Sequence, residues 1–112
     1  RTMPMHARIV RFNVRSGTIE ELAAAVDSMI PLMREQKGFK SLIVLRGGAL
    51  EGNAPEPAAI TTITTWDSLD SLRASEENLY FYRAMARVLA FSDGFPAIHE
   101  HEVLVSEYSP SP

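Results

Sequence analysis

No cysteine occurs in the 112 residues, which excludes a disulfide framework, a thiol nucleophile and a cysteine-ligated zinc site. No apolar run approaches the roughly 20 residues that a membrane-crossing helix needs, and the first residues carry no hydrophobic leader stretch. An excess of basic charge is also missing: 11 Lys and Arg stand against 14 Asp and Glu, for a formal net charge of −3. Nucleic-acid binding draws on a basic surface that displaces counterions, and this composition offers none. Aromatic residues are sparse at 8%, with a single Trp. The remainder, 46% apolar and 22% charged, is that of an ordinary globular domain. The expectation is one cytoplasmic domain with neither a nucleic-acid nor a membrane partner.

His6 to Arg15 alternates, with Val10, Phe12 and Val14 on one face and Ile9, Arg11 and Asn13 on the other, which predicts a strand. Ser16-Gly17 turns the chain, and Thr18-x-x-Glu21 reads as a capping box opening a helix. Ile19, Leu22, Ala23, Val26, Met29, Ile30 and Met33 form its apolar stripe, running to about Lys37. Pro31 should kink it. Gly38 suits the left-handed residue that closes a helix, with Phe39 packing back on the last turn. Ser41 to Arg46 is apolar on both faces and predicts a strand covered on both sides.

Residues 47–57 read as a long mobile loop, rich in Gly and Pro. Ala59 to Trp66 is a third strand, rich in Thr. Asp67 or Ser68 caps a second helix striped by Leu69, Leu72, Leu79, Tyr82, Met85 or Ala86, and Leu89. After Gly94 and Pro96, Ile98 to Glu107 alternates as a fourth strand. Residues 6–108 thus form the domain, after a disordered or vector-derived stretch 1–5 and before a flexible tail 109–112.

This order predicts the α+β class: a ferredoxin-like β-α-β-β-α-β fold, a four-stranded antiparallel sheet with two helices on one face. The sheet's other face is too apolar for water. A second copy of the sheet would cover it, giving a homodimer with a space between the sheets.

Thr62, Thr64 and Trp66 share one strand face. Directed into that space, they would offer two hydroxyls and an indole to a small planar ligand, with Val10 and Phe12 as lining. His99 and His101 share a face and could begin a metal site, but a third ligand is needed and Glu100 and Glu102 point away. No metal site is assigned, and His101 is retained as a candidate general base. Arg8 could meet a ligand oxyanion if it faced inward. The preferred expectation for Arg8, Arg11 and Arg15 is rim ion pairing with Glu100, Glu102 or Glu107. Tyr82 follows the helical stripe, while Tyr80 or Phe81 could reach a pocket mouth or the dimer seam.

Gln36-Lys37-Gly38-Phe39-Lys40, following a helix with Pro31, and Thr64-Thr65-Trp66-Asp67-Ser68, opening the second helix, resemble the antibiotic biosynthesis monooxygenase (ABM-domain) family over about residues 6–108. The resemblance implies a dimeric α+β barrel. Haem-degrading members carry an Asn, a Trp and a His at positions held here by Val10, Ser75 and Met85, so haem degradation is rejected. Members that oxidise quinols without a cofactor have an Asn, a Trp, a Tyr and a helix-borne Arg. The matching positions here are Thr62, Trp66, Leu72, and Arg83 or Arg87.

Two readings follow. One is a cofactor-independent monooxygenase of a small aromatic, quinol-like substrate. Its catalytic candidates are Trp66, Thr62 and His101, and its lining is Val10, Phe12, Thr62, Thr64, Trp66 and Leu72. The other is a non-catalytic homodimeric module that binds a small hydrophobic molecule. Neither calls for a cofactor.

Overall fold

Strands and helices follow one another in the order β1 (His6–Asn13), α1 (Ile19–Arg34), β2 (Phe39–Gly47), β3 (Ala59–Trp66), α2 (Leu69–Ser75), α3 (Leu79–Phe91) and β4 (Ala97–Glu102). A computed structural model describes residues 4–14, 19–47 and 59–110. The 16–17 turn, the Thr18 cap and nearly all of the 47–57 loop lie outside the described residues. The four strands pair antiparallel in the order β2-β3-β1-β4. This is the expected ferredoxin-like α+β sheet.

Period-two patterning sets which face is buried. Val10, Phe12 and Val14 are buried on the helix-facing side of β1, as are Ile60, Thr64 and Trp66 on β3. On the opposite face Ile43 and Leu45 of β2 stay 51% and 46% exposed. The α1 stripe buries Leu22, Ala25, Met29 and Met33, and the helix continues through Pro31 before closing at Gly38 with φ +83°. Ser68, rather than Asp67, caps α2: its hydroxyl accepts from the Ser71 amide at 3.1 Å.

Two expectations need correction. The second helix is two helices. At its break Glu76, Glu77 and Asn78 donate to carbonyls three residues back, and the Ser75 hydroxyl takes the Leu72 carbonyl at 2.6 Å. The stripe read across that break is therefore out of phase: Leu79, Tyr82 and Leu89 are exposed, whereas Tyr80 is 5% exposed. The fourth strand is shorter than read. It ends at Glu102, and beyond it Leu104, Val105 and Tyr108 lie exposed. The Met5 carbonyl accepts from the Val103 amide at 2.8 Å, one hydrogen bond beyond the last β1–β4 pair.

Between sheet and helices the core falls into two clusters. Val10, Phe12, Val14, Leu22 and Ile60 form one, and Met29, Met33, Trp66, Leu72 and Tyr80 the other.

Candidate functional site

Sheet register lays down the floor of a cavity at the junction of those clusters. Arg8, Thr64 and Leu42 form one cross-strand row, and Val10, Thr62 and Val44 form the next, all on the helix side. Leu22, Ala25, Met29 and Met33 of α1 and Tyr80, Phe81, Ala84 and Met85 of α3 close over them. The cavity volume is about 70 Å³, several times the space a single water requires. Its methionines are adaptable side chains suited to shaping an apolar void around a guest. Val44 and Arg87, both exposed, stand at its edge, whereas Arg8, Thr64 and Tyr80 mark its buried end.

Arg8 overturns the rim expectation. It sits on the inward face with Val10 and Phe12 and is only 3% exposed. Its Nη1 donates to Glu76 Oε2 at 3.0 Å and to Ser75 Oγ at 3.5 Å. Its Cζ lies 4.9 Å from the Phe81 ring centroid and 5.5 Å from that of Trp66, within cation–π reach of both. Glu100 pairs instead with Arg73, at 3.4 Å. Burial pushes the Tyr80 phenol above its ordinary range, and the charge and hydrogen bond of Arg8 partly oppose this.

Of the sequence candidates, Val10, Thr62 and Thr64 line the cavity. That face looks at the helices, so the expected lining of a space between two sheets is corrected. Trp66 stands behind Thr64 with no exposed surface, and its indole N–H donates to Thr64 Oγ1 at 3.1 Å. Phe12 and Leu72 are core residues rather than cavity wall. His101 pairs with Ala7 across the strands and is exposed on the other face of the sheet, which separates it from the cavity of its own chain. His99 accompanies it there and His6 does not; among the described residues no three His, Cys, Asp or Glu gather as a metal site. Of the two candidate arginines on the helix, Arg87 lines the cavity, while Arg83 lines a separate hollow beside Gln36 and Asn78.

The sequence offered an inward Arg8 only as the alternative to a rim residue and Tyr80 only at a pocket mouth or dimer seam, and did not bring the two together at a buried end. For Arg8 the signal was present, because it is in phase with Val10 and Phe12. For Tyr80 the break before α3 concealed the phase.

The sequence profile described as antibiotic biosynthesis monooxygenase matches residues 5–87. No curated protein matches the chain. Among solved structures, a protein of unknown function from Nitrosomonas europaea is similar at 19% identity, covering 99% of this chain and 100% of its own, with a TM-score of 0.74. A conserved protein from Methanosarcina mazei is similar at 17% identity over 88% of this chain and 92% of its own, with a TM-score of 0.72. SnoaB, a cofactor-independent oxygenase from Streptomyces nogalater, is similar at 16% identity over 96% and 99%, with a TM-score of 0.68.

Proposed function

The chain belongs to the antibiotic biosynthesis monooxygenase family, and from that premise we propose that it is a cofactor-independent monooxygenase acting on a small aromatic, quinol-like molecule. One observation carries this reading: an apolar, methionine-walled cavity with the hydroxyls of Thr62 and Thr64 on its floor and Trp66 directly behind them. An ionised hydroquinone is electron-rich enough to reduce dioxygen itself. The protein must then supply a dry pocket, orientation and hydrogen bonds, which the walls and the two threonines offer. Thr62 touches the substrate in this reading, and Trp66 positions Thr64. His101, exposed on the other face of the sheet, has no part in this reading. Homodimerisation through the open sheet face belongs to the same proposal, supported by exposed Ile43 and Leu45 on that face.

The test is dioxygen uptake by metal-free protein with a panel of hydroquinones and anthrones, comparing Thr62→Val with the wild type. Thr62 is half-buried, so its variant keeps the fold where loss of fully buried Trp66 would not. Uptake above the uncatalysed rate that falls at least tenfold in Thr62→Val is expected. Uptake no faster than background across the panel sinks the enzyme reading.

A second reading, a non-catalytic homodimeric small-molecule-binding module, is favoured by one observation. Leu72 is wholly buried core, so no phenol occupies that position. Ligand binding without any dioxygen uptake would establish it.

A further inference from the structure

Resting on the reading of this cavity as a ligand site, we propose that its occupant carries one anionic oxygen, an enolate, phenolate or carboxylate on an apolar body, and that Arg8 and Tyr80 receive that oxygen at the buried end. Arg8 is a buried cation at one end of a cavity walled mainly by apolar side chains, where a charge is costly unless it is paired. Its ion pair occupies Nη1 and points toward Ser75 and Glu76, where the Glu76 side chain is still 28% exposed. A guanidinium carries five N–H donors in a planar fork, so a counter-ion on one nitrogen does not exhaust it. Phe81 and Trp66 hold the group through their rings, which offer no strong hydrogen-bond acceptor.

The neighbours of Arg8 at this end are donors as well. Burial keeps the Tyr80 phenol protonated, so it carries an O–H to donate. Thr64 Oγ1 accepts from the Trp66 indole and likewise keeps a proton to give. A cation flanked by two hydroxyl donors selects an anionic oxygen. The Met, Val and Leu walls select an apolar remainder.

The single tryptophan lies 5.5 Å from Arg8, so quenching of its fluorescence reports occupancy. The probes are lawsone, an enol ionised at neutral pH, and menadione, its neutral counterpart of nearly the same shape. Naphthoate and neutral acetonaphthone form a carboxylate pair. The wild type is expected to bind the anion of at least one pair about tenfold or more tighter than its neutral partner. Which pair shows the preference tells an enolate from a carboxylate. Arg8→Gln and Tyr80→Phe should each remove most of that preference, and the far-ultraviolet circular dichroism of each variant shows that it is folded. Equal binding within both pairs, or a preference that survives both variants, overturns this inference and leaves the ligand site standing. Failure of all four probes to bind overturns the ligand site and this inference together.

Discussion

The indole nitrogen of Trp66 donates to Thr64 Oγ1 at 3.1 Å, joining the one tryptophan of the chain, which has no exposed surface, to a hydroxyl on the cavity floor. Thr64→Val leaves the buried N–H without its acceptor and should cost about 1–3 kcal/mol. Trp66→Phe removes the donor and part of the ring together. Urea unfolding of both single variants and the double variant checks the pairing. The double variant should cost less than the two singles summed, and strict additivity would mean that the bond carries no stability.

Gly38 closes α1 with φ +83°, and a Cβ there would run into the side chains of Ser71 and Asp67. Its carbonyl also accepts from the Asp67 amide at 2.8 Å, so the backbone cannot easily move aside. Gly38→Ala combines a strained backbone with a clash and should destabilise by about 2 kcal/mol or more. Gly47→Ala, where the added carbon meets nothing among the described residues, is the control and should lie within about 0.5 kcal/mol of the parent. The comparison is read from their denaturation midpoints.

Tyr80 makes alkaline stability measurable. Its folded-state value is raised from the ordinary 10.0, chiefly by burial. Below that value the phenol is neutral in folded and unfolded chains alike, and pH has no leverage through it. Above it the unfolded chain ionises first, so stability falls as pH rises toward the folded value. Phenolate absorbance should show one of the three tyrosines titrating last. The alkaline loss of stability should be smaller in Tyr80→Phe, and an equal loss in both proteins would refute the assignment.

Ile43 and Leu45 test the proposed homodimer. Both lie on the sheet face without helices, at 51% and 46% exposure. Replacing either with Glu would place a charge at a sheet-to-sheet contact while leaving the single chain's core untouched. Sedimentation velocity should show a wild-type dimer and predominantly monomeric Ile43→Glu. A wild type that sediments as a monomer at micromolar concentration removes the dimer from the proposal.

Much of the fold was legible from residue periods alone. Alternation in β1 and β3 and the three-and-four spacing of α1 persist in any surroundings that have one wet and one dry side. The phase of the second helical region was not legible. Ser75 bonds back to the Leu72 carbonyl and Asn78 takes extended backbone, restarting the helix count at Leu79. A stripe carried through that break lands on exposed Leu79 and Tyr82 instead of Tyr80. The end of β4 was misread for a related reason: alternation continues to Glu107, but the ladder with β1 ends at the pair His6–Glu102.

Strand and helix order, the glycine needed after α1 and the shared face of Thr62, Thr64 and Trp66 were all written locally, within reach of a few residues along the chain. The identity of the space that face addresses was not. It depended on which side of the sheet the helices cover, a relation between elements tens of residues apart. The place of Arg8 shows the same division. Its phase with Val10 put it on the inward face, but a buried arginine is tolerable only with a counter-charge and aromatic faces around it. Glu76, Phe81 and Trp66 come together at Arg8 only through folding, because contacts at that separation are made by tertiary packing and leave no periodic mark in the chain.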